Sequence, residues 1–231
     1  MTFFNPTQPI LRRKQEALDY QDLQGLLNLE LRIKDKSIFS AIYTRIDQVF
    51  IIWGLISAAI FITAQFFPIS WITQATVWSV LTVVGTAVMI GLTHFWVSVE
   101  RLRWVLYSWV ILILAGVGIT DLGIFLGWGQ VLMHLSHLWL GLSAIGYLIT
   151  GVGMRSRAFI LSGIVHCLGI LLLPYVGGWQ FLTTGFLMVA NLFIFAGTQW
   201  DMRLPIKNYN LLTEEQRQFN QQQYRLRQVT C

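Results

Sequence analysis

The chain has 231 residues, 55% of them hydrophobic, 14% aromatic and only 12% charged, where a soluble domain carries about 25% charged residues; that balance excludes a water-soluble globule. The net charge of +5 and pI near 9.5 would suit a nucleic-acid binder, but every Lys and Arg lies outside the long apolar runs, which argues against that reading. Two cysteines, Cys167 and Cys231, are too few for a disulfide framework.

The opening MTFFNPTQPILRRKQEALDY lacks the order of charge, apolar run and small-residue cleavage site of a signal peptide. Over residues 9–36 the leucines at 23, 27 and 31, with Leu26, Leu29 and Ile33, recur at helical spacing, which predicts an amphipathic helix. Its other face carries Glu16, Asp19, Asp22 and Glu30 among basic residues. A lipid-surface helix has a plainly basic polar face, so the mixed charge favours docking on protein.

Six apolar segments follow, near 48–67, 73–97, 104–125, 131–153, 158–174 and 179–199. Most have the roughly 17–25 residues that a membrane-spanning helix needs. All 16 Lys and Arg lie before the first segment, in the second–third and fourth–fifth connections (Arg101, Arg103, Arg155, Arg157) or after the sixth. The remaining connections, FFPISWIT, LGWGQ and PYVGGWQ, have none and bear Trp71, Trp128, Tyr175 and Trp179, the composition of an interfacial aromatic belt. The expected fold is therefore all-α: a polytopic integral membrane protein with six transmembrane helices in three hairpins and a cytoplasmic amphipathic N-terminal helix. The positive-inside rule places both termini in the cytoplasm of a bacterial-type inner membrane or an equivalent organelle membrane. The divisions are an N-terminal region over 1–45, a bundle over 46–200 and a tail over 201–231. In the tail, Thr213 stands three residues before Gln216, the spacing of a capping box at the start of a polar helix.

RLRWVLYSWVIL (101–112) and RSRAFILSGIVH (155–166) echo each other at an offset of 54 residues. A basic start is common to helices entering a membrane from the cytoplasm, and that simpler explanation is preferred here.

Ionisable groups inside a bilayer are costly and mark function by default. Asp121 lies roughly 9–10 Å below the Gly127–Gly129 turn and His134 about 8–10 Å below it on the returning helix, at 1.5 Å per residue. The two could meet, with His137 one turn deeper, as a proton or metal relay. Counted from Pro174, His166 lies about 12 Å deep, against about 12–15 Å for His137. Two imidazoles at matched depth on neighbouring helices could ligate haem b or a transition metal. Against these readings, transmembrane histidines commonly only hydrogen-bond a neighbouring helix.

The chain has no phosphate-binding Gly-x-x-x-x-Gly-Lys-[Ser/Thr] loop, no Gly-x-Ser-x-Gly, no Cys-x-x-Cys and no paired carboxylates within an apolar run. The leading expectation is a non-enzymatic protein, an accessory subunit, assembly factor or interaction partner of a membrane complex, engaging the lipid bilayer through its bundle and a protein partner through the N-terminal helix and the tail. The alternatives are a redox protein using His137 and His166, and a small-solute or proton-coupled transporter using Asp121, His134 and His137.

Overall fold

The computed structural model describes residues 3–5, 8–15, 17–33, 36–203 and 211–229; Glu16 and Cys231, named above, lie outside them. The expected helix over 9–36 does not form. In its place come strand β1 (Leu11–Arg12), one helical turn α1 (Tyr20–Leu23), and an antiparallel hairpin of β2 (Leu27–Ile33) and β3 (Lys36–Tyr43). The sequence LNLELRI alternates apolar and polar residues, the period of a strand. A spacing of four fits both one helical turn and two strand repeats, so the leucines at 23, 27 and 31 were ambiguous. Gly25, at φ +68°, ends the helical turn before β2.

Six long helices follow: α2 (Arg45–Phe66), α3 (Trp71–Val99), α4 (Arg103–Phe125), then a short turn α5 (Gly129–Leu132), α6 (Leu135–Met154), α7 (Arg157–Leu172) and α8 (Gln180–Gly197). Among the described residues, six helices are long and apolar enough to cross a membrane, with the last two counted over Arg157–Tyr175 and Gly177–Gly197. Only 22–50% of their most apolar windows is buried inside the molecule. The outward surface carries side chains such as Val80, Ile111, Leu168 and Leu171, a band that water would not tolerate on a monomer of this size. Cys167 also faces outward, not into the core as an apolar context suggests.

Local chemistry fixes the helix starts. Thr44 and Asp47 form a capping box on α2, with the Asp47 amide 3.3 Å from Thr44 Oγ1 and the Thr44 amide 2.8 Å from Asp47 Oδ2. Ser70 accepts from the Thr73 amide at the start of α3. Thr213 and Gln216 make the expected reciprocal bonds, 3.0 and 3.4 Å, at the start of the C-terminal helix α9 (Glu214–Val229).

The helices close into a ring. α2 packs on α3, α3 on α4, α4 on α6, α6 on α7, and α8 on α7, α6 and α2. The 54-residue echo has a backbone counterpart. α3 and α6 end in the same left-handed turn: Leu102 N–H donates to Val97 O at 2.7 Å, as Ser156 N–H does to Gly151 O at 2.9 Å. This is the Schellman geometry that satisfies the last carbonyls of a helix. The ring is fastened by β4 (Gln199–Trp200), which pairs antiparallel with β1 and so joins the segment that precedes the bundle to the one that follows it.

The main core lies in the half of the bundle nearest this seam. Phe50, Tyr147, Phe159, Phe195 and Trp200 stack there, Phe159 and Phe195 at 4.4 Å and Phe50 edge-on to Trp200 at 5.5 Å. At the opposite end Gln65 donates to Gly178 O at 3.0 Å and accepts from the Leu182 amide at 3.2 Å, tying the last turn of α2 to the start of α8.

Candidate functional site

The seam end carries a dense set of buried charges. Asp201, fully buried, accepts from Ser156 Oγ, from the Arg157 and Ala158 amides and from Arg157 Nε at 2.8–3.1 Å. A carboxylate here meets the unsatisfied amides and positive dipole end of α7. Burial alone would raise its pKa, but these hydrogen bonds outweigh it and hold the carboxyl below its usual value. Two residues on, Arg203 does the converse. Its guanidinium reaches the carbonyls of Glu100 and Gly153, and its amide donates to Met154 O at 2.8 Å, so a cation sits at the negative ends of α3 and α6.

A second layer joins distant segments. Trp96 Nε1 donates to Asp22 at 2.8 Å and Gln21 Nε2 to Glu100 at 3.0 Å. Asn220 of α9 donates to Gln21 at 3.0 Å and accepts from the Tyr20 amide at 2.7 Å. Arg227 pairs with Asp19 at 2.8 Å, and Lys14 with Asp47 at 2.7 Å. Burial, with the charge of Asp19 beside it, raises the Asp22 carboxyl to about 7. Burial and then Asp22 likewise raise Glu100 to about 7, against the pull of Arg203. Glu100 Oε2 is buried and has no hydrogen-bond partner.

These groups surround a cleft of about 150 Å³. Beneath it, α2, α3, α4, α6 and α8 line a cavity of about 180 Å³ whose walls are almost wholly apolar and aromatic. Ile46, Trp96 and Trp200 line both spaces, so the polar cleft and the apolar cavity share one wall.

The residues singled out from sequence lie elsewhere. The Asp121 carboxylate accepts from Ser79 of α3, with Ser79 Oγ 2.9 and 2.8 Å from its two oxygens, in a small recess of about 30 Å³ beside the main cavity. His134 precedes α6 and its Nδ1 lies 2.8 Å from Gln130 O, so that nitrogen carries the hydrogen. Asp121 and His134 thus hold to other partners, while His134 and His137 do approach, ring to ring at 5.2 Å.

His166 is fully buried on α7. Its Nδ1 lies 2.8 Å from Ser162 O, which leaves Nε2 as a buried lone-pair nitrogen without a partner. A Cβ on Gly163 would meet Leu148 and Ala144, one on Gly169 would meet Leu140, and the His166 ring lies 4.9 Å from Tyr147. His166 is therefore level with residues 143–147 of α6, about 9–15 Å along the axis from His137 at 1.5 Å per residue. The matched depth inferred from counting does not hold, because α6 begins only at Leu135 after a separate turn and α7 continues into a 3₁₀ turn over Leu173–Tyr175. Asn191 bridges helices, accepting from Ser162 Oγ at 2.8 Å. Among the described residues, no three His, Cys, Asp or Glu side chains converge as a metal site would require.

No protein-family model matches this chain, and no curated protein or solved structure shows significant similarity to it. The site rests on its own geometry.

Sequence reasoning missed Asp22, Glu100, Asp201 and Arg203 as a group. The signal for Glu100, Asp201 and Arg203 was acidic residues among basic ones at the ends of apolar segments, in VERLR and QWDMR, while Asp22 entered only as part of the polar face of the expected N-terminal helix.

Proposed function

We propose that this chain is a six-span integral membrane protein with both termini in the cytoplasm, in a bacterial-type inner membrane or an equivalent organelle membrane. It acts without catalysis, as an accessory subunit, assembly factor or interaction partner of a membrane complex. The observation that carries the reading is the β2–β3 hairpin. Its base is anchored, with Lys14 donating to Ile42 O at 3.0 Å and Gln48 donating to Gly25 O at 2.8 Å and to Tyr43 O at 3.2 Å. Beyond that base, Leu27 and Leu29 stand 44% and 46% exposed at the end of the bundle that holds the basic residues. A lone two-stranded hairpin is marginal in water, and its open edge and apolar face suit strand addition or packing by another protein. The exposed polar residues alternating with those leucines are Asn28 and Glu30.

The test is the complex itself. In native gels of mildly solubilised membranes, the wild-type chain should migrate in an assembly larger than a monomer. Leu27→Lys with Leu29→Lys should release it as a monomer with an unchanged unfolding temperature. A wild-type monomer, or an assembly indifferent to the double substitution, would reject the reading. The haem and proton-relay readings have less support, since His137 and His166 lie at different levels and Asp121 is held by Ser79.

A further inference from the structure

The geometry points to a ligand site in which the bundle cavity takes the aliphatic chain of an amphiphile and the seam cleft takes its amine head, with Glu100 as the group that receives it. The inference is independent of the hairpin and of any protein partner.

The cavity is elongated. Its wall runs along α2 from Ile46 to Phe61, about 22 Å at 1.5 Å per residue. Apolar space of that length is suited to an extended hydrocarbon chain, since water there would find too few polar partners to stay. Trp96 and Trp200 border both spaces at the seam end, so a chain in the cavity would bring its head to the cleft between these two side chains.

The cleft chooses the head. Four cations line it and none is free: Lys14 is engaged with Asp47 and the Ile42 carbonyl, Arg227 with Asp19, Arg203 with the carbonyls that end α3 and α6, and Arg12 is held as well. An anionic head would have to break these pairings. Glu100 differs. One oxygen accepts from Gln21; the other is buried without a donor, on a residue only 4% exposed. A buried acceptor left unpaired costs about 1–3 kcal/mol, so a ligand that brings an N–H donor removes a standing penalty. A cationic head also gains from Asp22 and from the face of an indole such as Trp96. An alkylammonium therefore fits where a sulfate or phosphate head alone does not. Such chemistry could arrive as a free long-chain amine or as an amine-headed phospholipid.

The experiment uses the full chain purified in a maltoside detergent, with dodecylamine, dodecanol or dodecyl sulfate added at one concentration below micelle formation. Dodecylamine should raise the unfolding temperature by about 4 °C or more when near saturation, and the alcohol and sulfate should not. Glu100→Gln should abolish most of that rise. So should Ile56→Phe or Leu112→Phe, either of which narrows the cavity. Two filling variants are used so that a folding failure in one leaves the other, and Glu100→Gln removes a carboxyl whose burial is unfavourable and so should fold. Nanodiscs of phosphatidylglycerol, with and without phosphatidylethanolamine, then separate the sources. A rise with phosphatidylethanolamine identifies the lipid, and a rise with dodecylamine alone identifies the free amine. Equal shifts from all three dodecyl compounds, a rise undiminished in Glu100→Gln, or no rise with either amine source would overturn the proposal.

Discussion

Arg101 and Arg155 adopt the same left-handed backbone conformation, with φ of 55° and 52°. They occupy equivalent positions in the two Schellman turns that lead from α3 into α4 and from α6 into α7. The pairs α3–α4 and α6–α7 are thus built alike, and α8–α2, fastened by the β1–β4 seam, stands as a third antiparallel pair in the ring.

These two turns carry a cost that glycine would not. A non-glycine residue in the left-handed region is disfavoured by roughly 1–2 kcal/mol. Arg155→Gly should therefore be neutral to stabilising, by up to about 1 kcal/mol, while Arg155→Val should destabilise by about 1–2 kcal/mol. Thermal unfolding of the two variants side by side decides it. A glycine variant as unstable as the valine one would mean the backbone there is not left-handed.

Close helix approach predicts a contrast between two glycines. A Cβ on Gly146 would lie 2.5–2.7 Å from the rigid indole of Trp109, whereas one on Gly118 meets nothing within 4 Å. Gly146→Ala should cost about 1–3 kcal/mol through overpacking. Gly118→Ala should gain up to about 1 kcal/mol from helix propensity. Unfolding temperatures that move together would contradict the packing of α4 on α6.

Asp201→Asn should be among the more damaging polar substitutions, at about 2–3 kcal/mol, because it weakens charge-assisted bonds to a helix start. The carboxyl's pKa is lowered on folding, so its stabilisation is present above the unfolded-state value of 3.8 and disappears as pH falls through the lower folded value. The Asn variant should lose that acid sensitivity. Retention of it would place the titrating group elsewhere.

The Asp22 and Glu100 carboxyls predict the opposite slope. Both are raised to about 7 from 3.8 and 4.5. The folded state then binds more protons than the unfolded state between those values, so stability declines as pH rises from about 4.5 through 7. Asp19 and Asp47 line the same cleft, are raised by burial in the same direction and add to the slope, while Arg227 and Arg203 pull against it. Unfolding temperatures measured from pH 5 to pH 8 should fall in the wild type, and fall less in Asp22→Asn and Glu100→Gln. A flat wild-type profile would show that these carboxyls are ionised throughout.

Topology has its own test. In a background with Cys167 and Cys231 replaced by serine, single cysteines at 101 and 155 should both resist an impermeant maleimide applied to intact cells, and one at 128 should react. Labelling at 101 but not at 155 would break the alternation on which the orientation depends.

The spans were legible because each is an uninterrupted apolar run punctuated by arginine or by Gly and Pro, and lipid admits few alternatives to a helix. The N-terminal segment was not, since leucines four apart satisfy two periods and only Gly25 and the strict alternation after it break the tie. Thr213 and Gln216 announced a helix start because a capping box is local. Asp201 could not be read as the cap of α7, because its partners at Ser156, Arg157 and Ala158 are brought to it only by closure of the ring. Counting residues from a loop also failed for His166, as it assumes that neighbouring helices start level.

The seam between Leu11–Arg12 and Gln199–Trp200 has a consequence for biogenesis. Strand β1 is synthesised before every helix of the bundle, yet its strand partner follows the sixth of them. Until the sixth helix is inserted, Ile10 has no Asp201 amide to receive and the aromatic core lacks Trp200. The membrane-embedded pairs can form as they are made, but the lock that turns a row of helices into a closed barrel-like ring is set only once the sixth helix has been made. A chain truncated before residue 199 should insert normally and remain open, exposed to proteases that the finished molecule resists.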